Sequence, residues 1–325
     1  MNWKQTLFWS FSTAAIFYYF LLFGVFVFVG QEEMQLFIPE WWYIREFLFQ
    51  PGGFCAVAGQ WIIQYYRQPM SAVVLHTVLL VGCGFMVYRI LRCFSDKTYL
   101  LFLSLLPVLY LVKMSIHGEY LVDGTVGVVL MLLALSLSLK VRRAGSIAGY
   151  GIASTLFLCG LTGLLSVCYA FLYTLLALLR YKTSRQRLAA AACLIPALFI
   201  YLFSGWLGIP VPLSDGWMPE AYLEIQRLPH YYMYRVWTFF TLSIVGVALF
   251  ARFVPVIGEK SKWMDRVALV VCLITALVSI RFCLPEPWHA QRMMLDELSF
   301  LARERQWDAI IDKYRGCLLY TSDAA

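Results

Sequence analysis

Three sets of polar residues interrupt an otherwise apolar chain of 325 residues, and each holds the side-chain types that chemistry needs. Glu32 and Glu33 are adjacent carboxylates directly after an apolar run. Such a pair can act as general base toward an acceptor hydroxyl, because partial desolvation and a like-charged neighbour both raise a carboxylate pKa. The plainer reading of the pair is a solvated helix end. Residues 113–124 then supply Lys113, His117, Glu119 and Asp123: one ammonium, one imidazole and two carboxylates. That set suits orientation of a substrate hydroxyl or ligation of a divalent metal, with Lys113 meeting a phosphate, although it matches no established metal spacing. Arg281, three residues from the end of an apolar run, either snorkels to headgroups or holds a lipid-linked phosphate, and Arg67 carries the same two readings. The candidate catalytic residues are therefore Glu32, Glu33, Glu119 and Asp123. The candidate phosphate-binding residues are Arg67, Lys113 and Arg281. No resident cofactor is assigned, and a divalent metal stays open.

The elements that must position these groups are membrane helices. The chain is 61% apolar and only 14% charged, with a mean hydropathy of +0.72. An ordinary soluble domain is roughly half apolar and about a quarter charged, so this chain lacks the polar surface to face water all round. A soluble enzyme, a disulfide-stapled secreted domain and a disordered region are excluded on that ground. Of nine cysteines, Cys83, Cys159, Cys168, Cys193 and Cys272 lie inside apolar runs and read as small buried hydrophobes. With no C-x-x-C pair, neither a zinc knuckle nor a thiol redox motif is supported. No P-loop, dinucleotide-binding glycine fingerprint, G-x-S-x-G or H-E-x-x-H occurs either.

Roughly 20 helical residues cross a hydrocarbon core about 30 Å thick. Residues 7–29 meet that length and form an uncleaved first span, since Phe26 and Phe28 stand where a signal peptidase needs small residues. Further spans are expected at residues 70–91, 98–112, 125–139, 189–207, 236–253 and 267–284. The apolar stretch 147–179 has basic residues at both ends, so it must cross an even number of times, as two short helices turning at residues 160–163. Nine crossings follow, with the N-terminus in the cytoplasm. The cytoplasmic set is Lys4, Arg89, Arg92, Lys97, Lys140, Arg142, Arg143, Arg180, Lys182, Arg185, Arg187, Arg252, Lys260, Lys262 and Arg266. The short outer loops hold only Arg45, Arg67, Lys113, Arg227 and Arg235, and fifteen against five is a strong positive-inside bias. The expected fold is thus an all-α polytopic membrane bundle of about nine transmembrane helices in a bacterial inner membrane, with the C-terminal tail outside.

The first outer loop carries its own helix signals. Pro39 and Glu40 start a helix running to about Gln50 and stopped by Pro51, Gly52 and Gly53. A second helix over 54–67 places Gln60, Gln64 and Arg67 on one face of an apolar surface, which suits the interfacial plane. The loop after the seventh span repeats the design, with Pro219 and Glu220 opening a helix that ends at Pro229.

This layout resembles the C-superfamily (GT-C) of membrane glycosyltransferases: one span, a first outer loop with an acid at its start and interfacial helices, then paired spans joined by a short acidic outer loop. The resemblance covers about residues 7–207. It implies transfer of a sugar from a polyprenyl phosphate donor at the outer face, with Glu32 or Glu33 as base and Glu119 or Asp123 in support; the family's usual aspartate is glutamate here. A second resemblance lies at the end of the chain. Leu295, Leu298 and Leu301, then Gln306, Trp307, Asp308, Ile310, Ile311 and Tyr314, look like the opening of a tetratricopeptide-like (TPR-like) helix pair. The whole resembles the N-terminal part of a larger bacterial membrane family of uncharacterised function with such repeats in its outer tail. Residues 1–284 then form the transmembrane domain and 285–316 the start of the repeat domain, while 317–325, "CLLYTSDAA", resemble sequencing-adapter read-through. Two functions stay open: a glycosyltransferase using a polyprenyl-phosphate sugar, or a non-catalytic anchor that presents the tail to an envelope protein. Membrane lipid is a partner in both, and nucleic acid in neither.

Overall fold

The computed structural model describes residues 3–35, 37–95, 99–117, 120–203, 228–258 and 287–314, together with positions 206, 270, 281, 284 and 285. Every regular element among the described residues is helical. The chain opens with α1 (Trp3–Phe23) and α2 (Val25–Met34), which form nearly one rod. The backbone ladder passes straight through the junction, Gly24 N donating to Phe20 O and Phe28 N to Gly24 O. Glycine is needed there because a Cβ would sit 2.9 Å from the Phe28 ring. The rod from Trp3 to Met34 is about 48 Å long, against roughly 30 Å for a hydrocarbon core. Its far end therefore projects past any bilayer that its apolar part crosses.

The next elements are α3 (Trp41–Leu48), α4 (Gly53–Ile63), a 3₁₀ turn (Gln64–Arg67) and α5 (Pro69–Leu91). They answer the helices expected over 40–50 and 54–67. The corner between α3 and α4 requires glycine twice: Gly52 has φ +85°, and a Cβ on Gly53 would fall 1.7 Å from Phe47 O. There follow α6 (Leu100–Leu103), α7 (Leu106–Ser115), α8 (Val122–Ser138), α9 (Ala144–Thr162), α10 (Leu165–Arg180), α11 (Ser184–Ala191), α12 (Leu194–Leu202), α13 (Leu228–Gly258) and α14 (Pro287–Arg303). The apolar stretch 147–179 is broken at Gly163, whose φ of +61° ends α9. The expected span 267–284, except positions 270, 281 and 284, lies outside the described residues, as do most of the helix expected over 219–229 and all of 317–325.

Among the described residues, five helical stretches are long and apolar enough to cross a membrane: Gln5–Phe23, Pro69–Leu91, Ala144–Thr162, Ser184–Leu202 and Arg235–Phe253. Shorter apolar helices cover Leu100–Ser115, Val122–Ser138 and Leu165–Arg180. The core forms around α5, which packs on α1, α2, α7 and α8, while α8 also meets α4, α9 and α10. Phe20, Phe28, Leu80, Leu111 and Tyr169 are fully buried there. The outer surface is apolar too: Phe11 is 74% exposed, Phe157 68% and Ile195 72%. Single exposed apolar residues are ordinary, but a whole belt of them asks for an apolar solvent.

Hydrogen bonds tie the bundle together at both ends. At one end Arg180 Nη2 donates to Leu139 O at 2.7 Å, Tyr181 OH to Val141 O at 2.9 Å and Gln186 Nε2 to Arg142 O at 2.8 Å. These donors satisfy carbonyls in the connection between α8 and α9. At the opposite end Gly52 N donates to Gly160 O at 3.1 Å, Gln31 Nε2 to Tyr120 O at 3.1 Å and Trp237 Nε1 to Gly124 O at 3.1 Å. This second end holds most of the candidate residues.

Candidate functional site

Glu32 and Glu33 lie in the last turn of α2, and α14 runs alongside that helix. His289 Nε2 donates to Phe23 O at 2.9 Å, and the rings of Phe26 and Phe300 lie 6.0 Å apart. A Cβ on Gly30 would come within 2.9 Å of Asp296 Oδ1, so glycine gives the carboxyl its room. At the far end Arg303 Nη1 stands 2.7 Å from Glu32 Oε2 and 3.4 Å from Glu33 Oε1. His289, Asp296 and Arg303 recur every seven residues, which keeps them on the face of α14 that meets α2. Burial pushes the Asp296 carboxyl up to about 6; Arg292, with Nε 4.0 Å from Oδ2, opposes the rise and Glu33 adds to it.

Asp123 occupies a different setting. It stands in the first turn of α8, half-buried, with Oδ1 accepting from Gly124 N at 2.8 Å. Helix α4 crosses so close that a Cβ on Gly59 would lie 2.6 Å from Asp123 Cβ and 2.9 Å from its Cα. Cys55, Tyr66 and Tyr120 are near enough to feel the aspartate's charge. Beyond them a buried polar chain continues into the bundle. The Tyr66 hydroxyl lies 2.7 Å from His76 Nε2, and the Phe28 ring stacks on the imidazole at 4.1 Å. The Tyr120 hydroxyl lies 3.2 Å from Thr125 Oγ1, and Gln31 binds the Tyr120 carbonyl. Polar groups so deep in an apolar bundle are kept by their partners, since an unmade hydrogen bond is costly there.

The remaining candidates are spread more widely. Lys113 is half-buried near the end of α7, and His117 closes the turn after it, its N–H bonded to Met114 O and its carbonyl to Tyr120 N. Arg67 ends the 3₁₀ turn, exposed and with no acidic partner among the described residues. Arg281 is helical and exposed, and Glu119 lies outside the described residues. The fold thus unites Glu32, Glu33, Asp296 and Arg303 on one flank, and Asp123 with Cys55, Tyr66 and Tyr120 on another. Among the described residues, no group of three His, Cys, Asp or Glu side chains is placed to hold a metal ion. Arg303, Asp296 and Gln31 are absent from the sequence-based candidates. The seven-residue spacing on α14 was the available signal for the first two, masked by the more obvious leucines at 295, 298 and 301.

The profile of a family of unknown function (DUF6057) matches residues 1–323, and the chain belongs to that family. Neither a curated protein nor a solved structure matches it.

Proposed function

We propose that this family member is a membrane anchor that holds a helical, TPR-like tail in a fixed orientation on the outer face of a bacterial inner membrane and presents it to an envelope protein. The observation that carries the reading is the grip of Arg303 on both Glu32 and Glu33. The pair best suited by sequence to act as a base is engaged in fastening the tail to the rod that leaves the membrane. Residues 307–314 then fold back on α14, where the Tyr314 hydroxyl donates to Glu297 Oε2 at 2.7 Å and Lys313 pairs with Oε1 of the same residue. Trp307 and Ile311, one helical turn apart, remain exposed and offer an apolar face to a partner.

The outward orientation of that face follows from charge. Fifteen basic residues on one set of connections and five on the other put the acidic end outside, and nine crossings bring the tail to the same side. The hydrogen bonds group residues 31, 52, 120, 124, 160 and 237 at one end, in keeping with that alternation. In this arrangement α3 and α4 lie near the headgroups. The test is a photo-crosslinking residue at Trp307 in intact cells. One discrete adduct that disappears in Arg303→Glu supports the anchor, and its absence from wild type overturns it.

A second reading rests on Asp123. With Glu32 and Glu33 occupied by Arg303, a transferase using a polyprenyl-phosphate sugar would need another base, and Asp123 is a half-buried carboxylate at the same end of the bundle. Loss of a surface glycan in Asp123→Asn but not in Glu32→Gln, at equal protein levels, would select this reading over the anchor.

A further inference from the structure

The corner between α4 and α5 carries Arg67, a phosphate-binding candidate, and an apolar groove that neither reading uses. Trp61, Ile62 and Tyr65 on one side and Met70, Val74 and Leu75 on the other enclose an open apolar groove of about 480 Å³. Its volume lies within the few hundred to a thousand Å³ typical of small-molecule sites. The walls are unusually bare, with Trp61 51% and Tyr65 50% exposed, and the two rings meet edge to face at 5.4 Å.

Arg67 stands between the walls in the sequence, two residues after Tyr65 and three before Met70, exposed and with no acidic partner among the described residues. The same spot is the N-terminus of the 23-residue α5, whose first helical residue is Pro69 and whose dipole adds positive potential. A guanidinium and a helix N-terminus both favour a phosphate, and the groove beside them favours a hydrocarbon chain. Charge and shape together specify an amphiphile with an anionic phosphate head and an apolar tail.

We propose that this corner binds an anionic glycerophospholipid, the phosphate against Arg67 and one acyl chain in the groove. Retention holds α4 and its 3₁₀ turn against the start of α5, so the lipid acts as a wedge at the outer end of the bundle. The site uses neither Glu32, Glu33 nor Asp123, and on the transferase reading it assigns Arg67 to a phospholipid in place of the polyprenyl phosphate.

The full chain is reconstituted in nanodiscs with equal phosphatidylglycerol and phosphatidylcholine, extracted gently and weighed by native mass spectrometry. Wild type should keep phosphatidylglycerol several-fold over phosphatidylcholine. Arg67→Gln should bring the ratio to the input value, Arg67→Lys should keep most of the preference, and Val74→Trp, which fills the groove, should reduce retention of both lipids. Brominated phosphatidylglycerol should quench tryptophan fluorescence of wild type more than of Trp61→Phe, a readout independent of extraction. The proposal fails if wild type retains the two lipids in the input ratio, if Arg67→Gln keeps the preference, or if polyprenyl phosphate at equal mole fraction displaces the phosphatidylglycerol.

Discussion

Arg303 and Glu32 are 271 positions apart in the chain, yet Nη1 of one lies 2.7 Å from Oε2 of the other. Glu33, 3.4 Å from the same nitrogen, makes the contact a fork of two carboxylates around one guanidinium. All three side chains keep partial access to water, which limits each pair to about 0.2–1 kcal/mol. Arg303→Ala should therefore loosen α14 by about 1 kcal/mol, a roughly five-fold increase in amide exchange over Pro287–Arg303. Glu32→Gln alone should do less, because Glu33 remains. Exchange rates for α14 that match wild type in Arg303→Ala would show that the fork contributes nothing to docking.

That contact also marks what the sequence made legible. Apolar runs, their lengths and the glycine break at residue 163 follow from composition and backbone freedom, so the helices were readable along most of the chain. The individual candidates were readable too, because Glu, Asp and Arg stand out in an apolar sequence. Their partners were not. Nothing local to Glu32 announces Arg303, and nothing local to Asp123 announces Gly59, since both pairings arise from packing between segments far apart in sequence. Periodicity says which face of a helix is special, while the neighbouring helix decides what that face meets.

Asp296 makes docking of α14 dependent on pH. Its carboxyl titrates near 6 when buried against α2, against 3.8 when free. A raised carboxylate pKa means that the docked state binds the proton more tightly, so docking is favoured below about 4 and this gain is lost as pH rises through about 6. The groups facing Asp296 are Arg292 on its own helix, which opposes the rise, and Glu33 on α2, which adds to it. Amide exchange of α14 should accordingly rise more steeply from pH 5.5 to 7.5 in wild type than in a variant without the Asp296 carboxyl. Asp296→Asn should remove that excess and steady α14 by about 1 kcal/mol at pH 7.5, the shift being discounted for the water that still reaches the side chain. An unchanged pH profile in the Asn variant would refute the assignment.

Two glycines offer a direct contrast in packing. A Cβ at Gly59 would press on the backbone of Asp123, whereas one at Gly82 in α5 would meet nothing within 4 Å. Gly59→Ala must push α4 away from α8 and should cost about 1–3 kcal/mol. Gly82→Ala should instead stabilise by roughly 0.5–1 kcal/mol, since alanine is the better helix former. Thermal unfolding in a fixed detergent would show opposite shifts in melting temperature. Equal shifts would mean that α4 and α8 are not held as closely as the Gly59 contact requires.

The Tyr66–His76 pair yields the last prediction, and it depends on the difference between removing a hydrogen bond and removing both of its ends. Tyr66→Phe keeps the ring in a fully buried position but leaves His76 Nε2 without its 2.7 Å partner. A buried polar atom stripped of its bond costs about 1–3 kcal/mol, so this variant should be clearly less stable. His76→Phe alone strands the tyrosine hydroxyl and should be destabilising by a similar route. The double replacement strands neither group, and its loss should fall well short of the sum of the two singles. A cycle that came out additive would show that the tyrosine and the histidine do not stabilise each other, and that the imidazole is held by its packing on Phe28 and Phe20.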